Sequence, residues 1–302
     1  MVKNIEIKVE KLPDKFNLIS KIYDKYCNVF GIHIFGTTKT PSDKVLWAGN
    51  ILAEYLDNDR DGKVDNSLIL ENMLSNNAAL TMAYDEEDEE SSINYLQNLF
   101  NIDDDSGTEY EEDSGTDSEY EEGFNSYVLN NESNIQIMEI IKNSQTVYAI
   151  ETGNDIMHSL GNPRFDASLE EILHLITDKG YSTAYPNIFG SNKGTEIANL
   201  MDKARGGYFE NVPDKYPDTA WYTYEDDSCE YDCQIEEYLY WGIITILKPE
   251  WKDRSMDLNK EWKIRKSDGS LMTLEERDPE FFELLTNEKY KFPKILPTDR
   301  KS

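Results

Sequence analysis

The first third of the chain switches between strand-like and helix-like spacing of apolar residues. From Asn4 to Lys11 apolar and polar residues alternate, which predicts a half-buried strand. Asp14 to Cys27 carries apolar residues at helical spacing, and Phe30 to Phe35 follows as a short apolar strand. Ser42 then stands at the N-cap position of an amphipathic helix.

The rest of the chain adds two strands and then a series of helices. Another helix is predicted to begin near Ser67, and strands are predicted at Leu80 to Tyr84 and Thr146 to Glu151. The later pattern predicts a helix from Ser168, a loop from Tyr181 to Gly190, a helix from Gly194 to Ala204, a helix from Cys233 to Leu247 and an irregular tail. Strands followed by helices predict an α+β fold with a small mixed sheet.

One strongly acidic segment interrupts this order. Between Asp85 and Glu122 lie 17 of the 60 acidic residues, and no Lys or Arg occurs from Val64 to Ile141. A segment of this composition cannot bury enough apolar surface to offset the entropy of ordering it. We therefore predict an N-terminal region over residues 1–84, a disordered acidic insert over 85–123 and a C-terminal region over 124–302 that forms one domain with the first.

The net charge of −30 bears on partners. Nucleic acid and anionic membranes repel such a surface, whereas basic proteins are natural partners for the acidic insert. No apolar run reaches the roughly 20 residues that span a bilayer, and the N-terminus does not resemble a signal peptide. The Lys-, Asn- and Ile-rich composition resembles that of proteins encoded by AT-rich genomes, including those of giant DNA viruses. We expect the cytoplasm, or a virion if the protein is viral.

A candidate metal site lies in Ser168-Leu-Glu-Glu-Ile-Leu-His174. Residues four apart share one face of a helix, so Glu170 and His174 can hold one ion. Glu171 stands beside them as a candidate general base. A third ligand is expected from the later helix, where Glu236 and Glu237 point about 100° apart.

These residues resemble the active-site and glutamate helices of zinc peptidases. The order His-Glu-x-x-His of the zincins stands here with Glu170 in place of its first His. Among the gluzincins, the anthrax-lethal-factor type is similar in having aromatics after its ligand glutamate, as in Glu237-Tyr-Leu-Tyr240. The resemblance implies a zinc ion held by Glu170, His174 and Glu237, a peptide or protein substrate, Glu171 as base and a tyrosine such as Tyr222 as oxyanion donor.

Other interpretations of the same residues stay open. Ser168 and Glu171 also form the pattern of a capping box, and His174 fits a half-buried helix position without any metal. A set of two carboxylates and one imidazole suits iron or manganese about as well as zinc. His158 is a further imidazole just upstream.

A second candidate site follows the first long helix. Asp57, Asp59 and Asp61 occupy positions 1, 3 and 5 of a calcium loop, with Gly62 at its turn. The Lys63 carbonyl and Asp65 fill positions 7 and 9, whereas the position of the usual bidentate glutamate is Leu68. We predict bound calcium in a structural role; the alternative is a polar connection whose aspartates cap the next helix.

Two functions follow from these candidates. The first is a metal-dependent peptidase or a catalytically degenerate relative of one. The alternative is a non-enzymatic, calcium-stabilised structural or interaction protein that binds basic partners through its acidic insert. Cys229 and Cys233 are open between a disulfide, soft metal ligands and two reduced thiols.

Overall fold

In the described residues, five strands form one mixed sheet and lie in it in the order of the chain. A computed structural model describes residues 6–100, 131–153, 165–247 and 260–297. The first three strands are antiparallel, and the third, fourth and fifth run parallel to one another. The strands are β1 (Glu10–Lys11), β2 (Tyr23–Val29), β3 (Ile32–Thr37), β4 (Ala79–Ala83) and β5 (Ser144–Tyr148).

Helices pack on this sheet and complete an α+β fold, as the sequence predicts. They are α1 (Ser42–Leu56), α2 (Ser67–Ser75), α3 (Glu86–Phe100), α4 (Glu132–Lys142), α5 (Ser168–Ile176), α6 (Pro186–Phe189), α7 (Glu196–Arg205), α8 (Tyr231–Leu247), α9 (Leu274–Arg277) and α10 (Pro279–Thr286). Short 3₁₀ turns cover Asp14–Ile19 and Ala149–Glu151, and a π-helical turn over Thr177–Ser182 continues α5.

The two faces of the sheet bury two separate sets of apolar side chains. Neighbouring residues of a strand point to opposite faces, so Ile34 belongs to one set and Phe35 to the other. The larger set includes α1, α5 and α8, and it contains residues from both the N-terminal and the C-terminal region. The smaller set joins the first 3₁₀ turn to α3 and α4. The candidate metal residues of α5 therefore lie on the side of the larger core.

The predicted helix over Asp14 to Cys27 is wrong. Its first part is the 3₁₀ turn, and its second part belongs to β2. Tyr23 and Tyr26 enter the same core three residues apart because the register between β2 and β3 shifts between Tyr23 and Lys25. This bulge gives a strand the apolar spacing of a helix.

Other predicted boundaries also change. Among the described residues of the strand predicted from Asn4 to Lys11, only Glu10–Lys11 pairs with a neighbour. The strand predicted to end at Glu151 stops at Tyr148 and turns. The expected loop after Tyr181 contains α6, and the expected irregular tail contains α9 and α10. Helices predicted from Ser42, Ser67, Ser168 and Cys233 are confirmed within two residues at their starts.

The acidic insert is ordered over its first part, so the prediction of disorder is wrong for residues 86–100. These residues form α3, whose Leu96, Leu99 and Phe100 pack into the smaller core. An apolar residue every third or fourth position outweighs the acidic first turn. The remainder of the insert, 101–123, lies outside the described residues.

None of the helices in the described part combines the length and apolar character that a membrane crossing requires.

Candidate metal centre

Asp166 fixes the start of the helix that carries the candidate ligands. Its Oδ1 accepts hydrogen bonds from the backbone N–H of Ser168 (3.1 Å), the Ser168 hydroxyl (2.6 Å) and the N–H of Gly153 (3.0 Å). Its Oδ2 accepts from Trp47 Nε1 of α1 at 2.7 Å. The Ser168 hydroxyl therefore donates to Asp166, and the Ser168 side chain does not cap the helix. The capping-box interpretation is wrong, and Asp166 is a residue that the sequence motif did not single out.

Glu170, His174 and Glu237 meet between α5 and α8. One ligand atom from each lies within 4.8 Å of the other two. His174 Nε2 and Glu237 Oε1 are 3.5 Å apart. We call this group the Glu-His-Glu cluster; its geometry suits a metal ion.

Glu237, and not Glu236, belongs to the cluster. The carboxylate of Glu236 accepts a hydrogen bond from the Ser191 hydroxyl at 3.1 Å. Burial and the nearby Asp178 carboxylate raise the pKa of Glu236 to about 7. Of the two glutamates that the sequence left open, Glu237 is therefore the one that lies beside Glu170 and His174.

The imidazole of His174 is buried with one polar atom unused. Only 8% of the residue is exposed, and Nε2 makes no hydrogen bond to any described group. The 3.5 Å separation from Glu237 is within ion-pair range but exceeds an ordinary hydrogen bond. The Tyr240 ring packs against the imidazole at a tilt of 34°, with 5.4 Å between ring centres. Buried polar atoms without hydrogen-bond partners are rare, so Nε2 of His174 is a candidate ligand atom for a metal ion.

Glu171 lies beside the cluster in a different environment. Its Oε2 accepts a hydrogen bond from Gln145 Nε2 of β5 at 2.7 Å. Burial raises the pKa of Glu171, while His174 and Gln145 oppose the rise. A half-buried carboxyl with a raised pKa is suited to exchanging a proton. The strand pattern gave no signal for Gln145.

The hydroxyl of Tyr222, the predicted oxyanion donor, already donates a hydrogen bond to the backbone. Tyr222 is fully buried, and its hydroxyl donates to the Gln234 carbonyl of α8 at 2.8 Å. Tyr181 is also committed, since its hydroxyl donates to the carbonyls of Tyr290 and Lys291. Tyr224 differs because it is only half-buried, and burial followed by the carboxylates of Glu237 and Glu170 raises its pKa. Tyr224 is the better candidate donor.

The aspartate loop connects α1 to α2. Asp57 Oδ1 and Oδ2 accept the N–H groups of Asp61 (2.9 Å) and Gly62 (3.0 Å), and Asp59 Oδ1 accepts from Asp61 as well (3.0 Å). Carboxylate oxygens of Asp57, Asp59 and Asp61 lie within 4.8 Å of one another. The described residues thus contain two groups that could hold a metal ion, this loop and the Glu-His-Glu cluster.

Two further predicted calcium ligands, the Lys63 carbonyl and Asp65, are not part of this group of three carboxylates. The Lys63 N–H donates to Asp61 Oδ1 at 2.9 Å, which places it within the turn. Asp65 does not belong to the group of three, and its Oδ2 accepts a hydrogen bond from the Asn58 N–H at 2.8 Å. Burial, and the neighbouring loop aspartates after it, raise the pKa of Asp65.

The Asn58 side chain joins the aspartate loop by hydrogen bonds to residues near the C-terminal end of the described chain. Its Oδ1 accepts the N–H groups of Lys294 (2.8 Å) and Ile295 (2.9 Å), and its Nδ2 donates to the Ile295 carbonyl (2.8 Å). The Lys291 ammonium adds a hydrogen bond to the Asp65 carbonyl at 2.7 Å.

Cys229 and Cys233 form a disulfide at the start of α8, with 5.4 Å between their Cα atoms. The adjacent Gln234 donates to the Cys229 carbonyl (2.8 Å) and accepts from the fully buried Arg205 (2.6 Å). Arg205 therefore anchors α8 and is not available to a substrate. His158 lies outside the described residues.

No protein-family model, no curated protein and no solved structure matches this chain. The resemblance to gluzincins therefore rests on the residues of α5 and α8 and stays a prediction. The geometry adds that these two helices bring Glu170, His174 and Glu237 together.

Proposed function

We propose that the protein is a metal-dependent hydrolase that cleaves peptide bonds, with Glu170, His174 and Glu237 as its metal ligands. The observation that carries the proposal is the buried His174 Nε2, which faces two carboxylates and has no hydrogen-bond partner among the described residues. The peptide substrate is inferred from the resemblance to gluzincins.

The donor set fits a first-row divalent ion. Two ligands about 2.1 Å from a tetrahedral zinc ion are about 3.4 Å apart, close to the 3.5 Å between His174 Nε2 and Glu237 Oε1. One imidazole and two carboxylates also suit iron and manganese, and we propose zinc as the first choice.

Glu171 is the proposed general base. An ion in the cluster would supply Lewis-acid activation of a water molecule. Glu171 would take the proton of that water, and Gln145 would hold its carboxylate through the 2.7 Å hydrogen bond. Tyr224 would donate to the developing oxyanion.

Metal analysis of protein purified without chelator tests the ligands. We expect about one equivalent of zinc, iron or manganese in the wild type, and its loss in His174→Ala and Glu237→Gln. Glu236→Gln is the matched control, since it changes the neighbouring carboxylate and should keep the metal. A wild type without transition metal, or mutants that retain it, would contradict the proposal.

Peptidase activity is tested separately with a quenched fluorescent peptide library. Glu171→Gln should bind metal as the wild type does and lose cleavage, because only the proton acceptor is removed. If metal is bound and no peptide is cleaved by the wild type, the chain is a degenerate relative that retains the site.

A second candidate function is supported by the aspartate loop. We propose that calcium binds Asp57, Asp59 and Asp61 and stabilises a protein that acts through its surface, with basic proteins as partners of the acidic insert. The three carboxylates support the proposal, since they lie within 4.8 Å of one another. Melting curves with calcium and with a calcium chelator test it, and Asp59→Asn should remove the difference.

A further inference from the structure

A cavity of about 150 Å³ lies on the face of the sheet opposite to α5. The sheet forms its floor, and α3 and α4 form its walls. Seven of its lining residues have polar side chains: Tyr23, Thr37, Thr81, Glu89, Ser92, Ser144 and Thr146. The hydroxyls of Thr37 and Ser92 already donate to Asp88. We call it the hydroxyl cavity. Nothing in the proposed hydrolase uses it.

Strand register explains why hydroxyls gather there. Thr81 of β4 stands opposite Thr146 of β5, and Tyr23 of β2 stands opposite Thr37 of β3. Residues opposite each other point to the same face of a sheet. The same face carries Phe35 and Ala79 in the smaller core, so the hydroxyls interrupt an otherwise apolar surface.

Two polar groups of the cavity have hydrogen-bonding capacity to spare. Tyr23 is 4% exposed, and its hydroxyl bonds to no group in the described ranges. Glu89 Oε2 accepts the Tyr148 hydroxyl, while its Oε1 receives no donor from the described residues. Thr81 and Thr146 share a hydrogen bond of 3.2 Å, and the Thr81 hydroxyl lies 3.4 Å from both Ser144 Oγ and the Gln145 carbonyl, so these bonds are long.

These groups select the chemistry of a ligand. It must donate to the Glu89 carboxylate and accept from the Tyr23 phenol, which burial keeps protonated by raising its pKa. A hydroxyl group does both, whereas an ammonium cannot accept and an anion is repelled by Glu89. Ile93, Leu96 and Ile141 line the remaining wall and suit the C–H groups of a carbon chain.

We propose that the hydroxyl cavity binds a small neutral polyol, of up to about six carbons. A cavity of about 150 Å³ accommodates a six-carbon ring. The vicinal hydroxyls of such a ligand would bridge Glu89 and Tyr23, and its carbon chain would lie against the isoleucine and leucine side chains.

The test is ligand-observed NMR and calorimetry on the full chain with glycerol, erythritol, xylitol and glucose. Diaminopentane and glutarate, tested alongside, represent cationic and anionic ligands of similar length. We expect saturable binding of at least one polyol and of neither charged compound.

Variants locate the binding. Glu89→Gln and Thr146→Val keep the shape of the cavity and should weaken binding roughly tenfold or more, since the first replaces a charged hydrogen-bond acceptor with a neutral amide and the second replaces a lining hydroxyl with a methyl group. Ser91→Ala is the control on the same helix, because its hydroxyl is exposed and bonds to the Glu87 carbonyl. His174→Ala should also leave binding unchanged, which separates this site from the metal centre.

Three outcomes would overturn the proposal: no saturable polyol binding to a folded wild type, equal binding by Glu89→Gln and Thr146→Val, or preference for the diamine. Melting curves confirm that each variant is folded, and Tyr23→Phe provides a third variant that removes one oxygen only.

Discussion

His174 Nε2 and Glu237 Oε1 lie 3.5 Å apart, although the two residues belong to different helices. Glu170 completes the group from one turn before His174. A divalent cation at this point would neutralise the two carboxylates and give the imidazole Nε2 a ligand bond. The predictions on the metal centre follow from this relationship.

Removing a transition metal should lower the melting temperature of the wild type. A ligand present at 100 times its dissociation constant stabilises the fold by about 2.7 kcal/mol. Calorimetry with a zinc-selective chelator, in excess calcium so that the aspartate loop is unaffected, measures the loss. His174→Ala should show no response to the chelator, and a similar response in that variant would place the metal elsewhere.

Glu171→Gln should reduce cleavage by a factor of roughly 10²–10⁴, the usual contribution of a general base. The wild-type rate should rise with pH as Glu171 ionises, because the base must be deprotonated; burial raises the pKa of Glu171, and a bound cation would lower it. Initial rates across pH measure both effects. A profile unchanged by Gln145→Leu would argue against the role of Gln145 in holding this carboxylate.

Glu236→Gln should stabilise the fold at pH 8. The pKa of Glu236 is raised to about 7 in the fold, so the folded chain binds this proton more tightly than the unfolded chain. The resulting stability is complete below the ordinary carboxyl pKa and is lost as the pH rises through 7. We expect a gain of about 1–3 kcal/mol at pH 8 and little at pH 4.

Urea denaturation at both pH values measures this difference. Glu275→Gln is the control because Glu275 is exposed on α9. Equal gains in both variants would mean that overall charge reduction, and not the buried position of Glu236, is responsible.

Asp57→Asn should destabilise the protein even without calcium, by about 1–2 kcal/mol. Asp57 is buried, and its two oxygens accept the N–H groups of Asp61 and Gly62. An amide offers only one acceptor, so one of these two N–H groups loses its bond to residue 57 and faces the amide's own N–H donor. Asp59→Asn should affect stability only when calcium is present. Thermal melts of both variants with and without calcium separate the loop's hydrogen bonds from its ion.

Reducing the Cys229–Cys233 disulfide should cost about 2 kcal/mol, the value expected for so short a loop. The first turn of α8 would loosen, and Glu237 stands one turn further along the same helix. Transition-metal affinity should therefore fall in the reduced protein and in Cys229→Ser/Cys233→Ser. Unchanged affinity would show that Gln234 and Arg205 hold the helix start without the disulfide.

The sequence predicted those elements in which the spacing of apolar residues matches the secondary structure that they form. The α5 ligands follow from helical spacing within one segment, so Glu170 and His174 were identifiable without a structure. The bulge beside Tyr23 could not be predicted, because it depends on pairing with β3. Asp166 and Gln145 were missed for the same reason, since their partners Trp47 and Glu171 are distant in the chain.

Tyr222 illustrates why the sequence alone does not select one tyrosine as the candidate oxyanion donor. Composition makes tyrosines available as oxyanion donors, but only packing decides which hydroxyl is already committed to a backbone carbonyl. Tyr222 donates to Gln234, whereas Tyr224 stays half-exposed two residues later.

The hydrogen bonds from Asn58 to Lys294 and Ile295 have a consequence for folding kinetics. They join residues 236 and 237 positions apart, and contacts of such separation carry a large loop-closure cost until the intervening chain is folded. We therefore expect these Asn58 hydrogen bonds to form after the transition state for folding. Weakening these hydrogen bonds would accelerate unfolding and leave the folding rate nearly unchanged. The lifetime of the native state is therefore set in part by the Asn58 side chain.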